Sequence, residues 1–283
     1  MSERLREARA KVERAETQIN EINDLVGAFL AASPYALKSQ VNRDHSREIW
    51  RYELTAKAPV AIAIVAGEAM HNLRSALDHL ACAVAELHSG SSKGTYFPFG
   101  ADAQIFEKQL SDKAKKLPVD AQNMIRALKP YGGGNDLLWS LHDLNRRDKH
   151  IELAPIQVGI LTDMTTLVVT TGRIDTIGPR TGRHLVRDRQ TGNFVQFIEG
   201  HQPRISTEGT PHIILETLPG HEEDFEIMTG LPSTQFEADF QPTFNVAIKK
   251  DGFAKHQPIA AEIVQMRDLV QSIFLTFERR FFP

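Results

Sequence analysis

Seven polar side chains that can hold or move protons and bind anions fall within twelve residues: Glu68, His71, Asn72, Arg74, Ser75, Asp78 and His79. Imidazole titrates near neutrality, and a guanidinium matches the oxygens of a phosphate bidentately, so this set has the means for acid–base work on a charged substrate. The stretch from Val60 to His88 runs without a breaker except Gly67, and Pro59 suits a first helical turn, which predicts one long helix. On a wheel of about 100° per residue, Leu73, Leu77, Leu80, Val84 and Leu87 form an apolar band, and the seven polar residues occupy the opposite arc, within about 140° of one another. Val60 and Ile64 continue that arc, and the first third of the helix is apolar all round. The arc is therefore expected to face protein, where its polar groups need partners.

Three readings of the arc follow. In the first, Arg74 and Asp78, four apart, form an intrahelical ion pair, and His71 and His79 donate to carbonyls of a helical bundle. In the second, Glu68 and His71 form half of a bundle-core metal site, which needs a second Glu-x-x-His that the chain does not contain. The third rests on a resemblance. Arg74-Ser75-Ala76-Leu77-Asp78-His79 resembles the Arg, four to six residues, His motif of the HEPN family of helical domains, many of which are metal-independent ribonucleases. The resemblance implies a homodimer with the motif at its interface, acting on RNA without cofactor or metal. His79 would exchange protons with the ribose 2′-hydroxyl or the leaving oxygen, and Arg74 would hold the scissile phosphate. The segments His71 to His79 and Asp148-Lys149-His150 are also similar to a wider set of bacterial proteins, a likeness that implies no activity.

A second constellation lies at Leu141-His142-Asp143-Leu144-Asn145-Arg146-Arg147-Asp148-Lys149-His150. Leu137, Leu138, Leu141 and Leu144 define an apolar band that also contains Asn145 and Asp148, with His142 and Lys149 at its edge. Polar residues on a core face require buried partners, and the economical expectation is that Asp148 or Asn145 meets Arg74 or His71 across a helix pair. His71, Asp78, Asn145 and Asp148 would then either orient Arg74 and His79 for chemistry or form a buried ion pair that fixes helix register. Weaker signals are Gly132 to Gly134 before a helix, where Asp136 is the expected cap, His221 to Asp224, read as a solvated turn, and Arg180, Arg183, Arg187 and Arg189, read as a solvated loop.

The remaining elements must position these groups. Leu5, Ala8, Val12, Ala15, Ile19, Ile22, Val26 and Phe29 keep a 3-4-3-4 spacing, predicting a long helix with a narrow seam that stops before Ser33-Pro34. Ile259, Ile263, Met266, Val270, Ile273 and Phe277 repeat the pattern after Pro258, so the two end helices are expected to pair antiparallel. Trp50, Tyr52, Leu54 and Ala56 alternate with charged or polar residues, predicting one strand between Glu48 and Lys57. Helices are predicted at Ala103 to Lys116, Val119 to Leu128 and Asp136 to Lys149. Short β-branched or aromatic runs follow at Thr165 to Thr171, Asn193 to Glu199, His212 to Leu218, Phe225 to Thr229 and Thr243 to Lys249, read as antiparallel strands. The expected fold is α+β: a helical bundle over 1–150, HEPN-like by resemblance and closed by 256–283, with an antiparallel β-domain inserted at 151–255.

The 283 residues carry 33 Lys+Arg against 36 Asp+Glu, a formal charge of -3 that argues against duplex DNA as a partner. The longest apolar run is far short of a membrane span, Cys82 is the lone cysteine, and no apolar leader follows Met1, which together point to a cytoplasmic protein with no membrane partner. No phosphate-binding glycine loop, dinucleotide fingerprint, nucleophile elbow or His-Glu-x-x-His zinc motif occurs. The chain is then either the ribonuclease that the resemblance implies or a non-catalytic binding or interaction module whose polar stripe is structural and whose β-domain holds a ligand.

Overall fold

The computed structural model describes residues 3–150, 153–154, 156–171, 174–177, 184–187, 194–197, 212–217, 224–233, 235–248 and 257–283. The protein is a mixture of helix and strand in two compact units. One contains Met1–Leu25, Pro59–Pro155 and Gln257–Pro283; the other contains Val26–Ala58 and Ile156–His256.

The helical unit is built on α1 (Glu3–Ala31) as far as Leu25, with α2 (Val60–Ser89), α3 (Ala103–Lys113), α4 (Val119–Leu128), α5 (Asp136–His150) and α6 (Ile259–Phe281). The two narrow seams are buried, with Leu5, Ala8, Ala15, Ile19 and Ile22 from α1 and Ile263, Met266, Val270, Ile273 and Phe277 from α6. Their order is antiparallel, because Arg9 pairs with Glu278 while Glu16 pairs with Arg267. A second ladder, Arg4 to Glu86, Glu7 to His79 and Lys11 to Asn72, sets α1 antiparallel to α2 as well. The apolar band of α2 forms the centre of the core, and Leu73, Leu77, Leu80 and Val84 are buried.

Two details of α2 differ from expectation. Leu87 lies in the apolar band but is exposed, and Val60 and Ile64 are exposed although the start of the helix is apolar all round. Hydrophobicity alone does not place a residue in the core when no element lies over that face. Two other differences concern α5 and its approach. Asn135, not Asp136, caps the helix, its side chain accepting from Leu138 N at 3.1 Å. Gly132 and Gly134 before it serve close packing, since an added Cβ would stand 2.6 Å from the Ala101 and Lys129 carbonyl oxygens respectively, while Gly133 serves a turn at a φ of +79°.

The strand unit holds two antiparallel sheets. One has the order β1 (Tyr35–Val41), β2 (Glu48–Leu54), β8 (Asp224–Gly230), β4 (Ile174–Ile177). The other has the order β6 (Phe194–Phe197), β5 (His184–Arg187), β7 (His212–Thr217), β3 (Ile156–Thr171), β9 (Gln235–Ile248). The domain division at 150 is therefore corrected. Residues 26–58 belong with the strands because β2 pairs with β8, Trp50 opposite Met228 and Tyr52 opposite Phe225. Tyr35, Tyr52 and Phe244 join the two sheets. The first and last stack with centroids 3.7 Å apart, and burial pushes the Tyr52 hydroxyl pKa up to about 12. Arg187 lies in β5 and Asp224 opens β8, while Arg180, Arg183, Arg189 and His221 to Glu223 lie outside the described residues. Among the described residues no helix is long and apolar enough to cross a membrane.

Candidate functional site

Arg74 and His79 sit on the same helix but face different neighbours. The Arg74 side chain is only 12% exposed, and its guanidinium is enclosed by its own unit. Nη2 donates to the Phe97 carbonyl at 3.1 Å, and Nε donates to His142 Nδ1 at 3.4 Å. Nη1 lies 2.6 Å from Asp78 Oδ1, an ion contact outside hydrogen-bond alignment, and the guanidinium carbon stands 4.4 Å from the Phe99 ring centre. Asp78 completes the arrangement by accepting from Phe97 N at 2.9 Å. Arg74 and Asp78, spaced four apart so that both point the same way, thus hold both main-chain polar groups of Phe97. This fixes the turn Tyr96-Phe97-Pro98-Phe99-Gly100, whose Phe97 and Phe99 are buried.

His142 belongs to this cluster. Its ring stacks on Phe99 with centroids 4.6 Å apart and planes 7° from parallel. Burial first, and the adjacent Arg74 charge second, lower its pKa to about 4. At neutral pH the imidazole is uncharged, and its Nδ1 lone pair accepts from Arg74, which leaves the proton on Nε2. The helical wheel of α5 places His142 at the edge of the apolar band but does not show this link to Arg74.

No family model, curated protein or solved structure matches the chain.

His79 faces α1, where its Nδ1 stands 3.0 Å from Glu7 Oε2, and its side chain is 25% exposed. His71 meets Asn145, Nδ1 to Oδ1 at 3.3 Å, which is one of the contacts expected across the helix pair. With the amide oxygen facing it, Nδ1 donates and Nε2 keeps its lone pair. Burial pushes the His71 pKa down, and the ammonium groups of Lys149 and Lys11 add to this; the Asn145 bond and the Asp148 charge oppose it.

The expected contact between Asp148 and Arg74 does not form. Asp148 instead lies against Gly67, where an added Cβ would stand 2.5 Å from the carboxylate carbon, and Oδ1 accepts from Ala154 N at 3.1 Å. Arg74 lies nearly two turns further along α2, and Asp78 is its nearer carboxylate. Asn72 faces α1 in a relay that sequence spacing does not reveal: Lys11 Nζ donates to Asn72 Oδ1 at 3.1 Å, Asn72 Nδ2 to Gln18 Oε1 at 2.8 Å, and Gln18 Nε2 to Glu68 Oε2 at 2.8 Å. The clue was available in Gln18, a polar residue next to Ile19 in the buried seam. Among the described residues no three His, Cys, Asp or Glu side chains gather to hold a metal ion, so Glu68 and His71 remain without the further ligands such a site requires.

Proposed function

We propose that the protein is a non-catalytic binding or interaction module in which the Arg74 stripe is structural. The observation that carries this reading is the enclosure of Arg74. Its guanidinium is occupied by the Phe97 carbonyl, Asp78, His142 and Phe99, leaving no open fork for a phosphate. A catalytic clamp must exchange partners with substrate, and each of these contacts would have to break first. On this reading a ligand or partner is held by groups other than Arg74 and the side chains that enclose it.

One observation favours a second reading, a HEPN-like metal-independent endoribonuclease acting as a homodimer. The Glu7 carboxylate at His79 Nδ1 would fix the ring with Nε2 free for proton transfer, and the ring retains partial exposure. Incubating RNase-free protein with single-stranded and structured RNA in EDTA decides between them. No cleavage is expected. Cleavage that leaves a 2′,3′-cyclic phosphate and disappears in both Arg74→Ala and His79→Ala, with the fold retained, would overturn the non-catalytic reading.

A further inference from the structure

The Arg74 cluster accounts for one side of α2, yet His71 has no part in it. His71 is half-buried, its Nδ1 is fixed by Asn145, and among the described residues Nε2 has no hydrogen-bond partner. Three elements bring charge to it. From α5, Lys149 lies one turn beyond Asn145 on the same face and is exposed. From α1, Lys11 reaches over to Asn72, the residue next to His71. The neighbouring carboxylates are engaged: Glu68 of α2 accepts from Gln18, and Asp148 of α5 accepts from Ala154 N. Arg74, the next cation along α2, is committed to Asp78 and Phe97. His71 thus offers one oriented imidazole with an open lone pair, and the ammonium groups of Lys149 on α5 and Lys11 on α1 stand near enough to disfavour its charged form.

We propose that His71, Lys149 and Lys11 form a binding site for a phosphate group, supplied as inorganic phosphate or a phosphomonoester. This deepens the reading of the protein as a binding module and rests on it. An imidazole lone pair needs a proton from its ligand, whereas ammonium groups need an anion. A phosphate monoester near pH 6 supplies both, because its second ionisation lies there and about half of it is the monoanion, which keeps one P–OH. On binding, the P–OH proton passes to His71 Nε2, giving an imidazolium beside a dianion, and no net proton is gained or lost in that step. A phosphodiester has no such proton to give and is the poorer ligand. The lysine charges that disfavour imidazolium in the free protein are countered by the ligand, so binding raises the His71 pKa.

The test is a titration of the full chain with inorganic phosphate, followed by histidine side-chain NMR, with dimethyl phosphate as the diester probe. A saturable shift at His71 is expected, with its titration midpoint moving upward as phosphate is added. Lys149→Ala should weaken binding on the order of tenfold, the loss of one charge-assisted contact, and dimethyl phosphate should bind more weakly than phosphate. Lys149 is exposed, so this variant is expected to fold, and Lys11→Gln tests the other flank with circular dichroism as the fold control. No shift at His71, or a shift of unchanged affinity in both lysine variants, would overturn the site. Equal binding of the diester would overturn the proton-sharing arrangement. These outcomes are separable from RNA cleavage: a silent phosphate titration with no nuclease activity removes only this site, while cleavage that depends on Arg74 and His79 removes the non-catalytic reading itself.

Discussion

Gly67 and Asp148 pack directly on each other, the carboxylate occupying the space that any side chain at position 67 would need. Gly67→Ala should therefore destabilise the helical unit by about 1–3 kcal/mol through overpacking, although alanine is the better helix former by about 1 kcal/mol. In an Asp148→Ala background the same substitution should become neutral or stabilising. A double-mutant cycle by chemical denaturation measures this, and additive effects would show that the two residues do not compete for space.

Arg74→Ala should cost about 3 kcal/mol or more, since it leaves the Asp78 carboxylate and the Phe97 carbonyl without their cation in a largely buried setting. Arg74→Lys should recover little, because an ammonium cannot serve Phe97, Asp78 and His142 from one plane while lying over Phe99. The more exposed Glu7 to His79 pair should behave differently, with His79→Ala costing under about 1 kcal/mol. Equal losses for Arg74→Ala and His79→Ala in urea melts would contradict this division of roles.

Stability should fall as the solution is acidified below pH 6.5. His142, with its pKa near 4, and His71, also lowered, bind fewer protons folded than unfolded. The unfolded chain takes up protons first, so the contribution of His142 declines from about pH 6.5 and levels off below about pH 4. Tm measured across this window should drop, and the drop should be shallower in His142→Phe, which keeps the ring stack but cannot titrate. A parent and variant with parallel profiles would exclude His142 as a source.

Removal of residues 257–283 should abolish cooperative unfolding of the helical unit, because α6 buries Ile263, Met266, Val270, Ile273 and Phe277. A truncated chain that retains the melting transition of the helices would count against this role for α6.

Long periodic segments were legible in the sequence, because a repeated apolar spacing encodes a buried face whatever the partner is. The ends of α2 and α4 and the start of α6 fall at or within a residue of where Pro59, Gly90, Leu128 and Pro258 place them. The strands β1, β4 and β5 were missed. β1 is largely exposed and its alternation of Tyr35, Leu37 and Val41 is broken by Ser39, and the four-residue runs of β4 and β5 are too short to show a face. The polar positions of helix α5 were half legible: the wheel showed that Asn145 and Asp148 needed partners, and Asn145 found His71. The wheel could not show that Asp148 would meet a glycine, since a close approach of helices depends on the absence of a side chain and leaves no periodic mark.

The chain passes between the two compact units at 25/26, 58/59, 155/156 and 256/257, so neither unit is a continuous stretch of sequence. This constrains the order of folding during synthesis. β2 must wait for β8, well over half the chain later, before its sheet can form, and α1 and α2 must wait for α6 before their seams are covered. Domains usually condense in turn as they leave the ribosome. Here the first half emerges with two unfinished cores, and both close only when the last quarter of the polypeptide arrives. Nascent chains stalled before residue 224 should consequently stay protease-sensitive throughout, and resistance should develop in both units together near the end of translation.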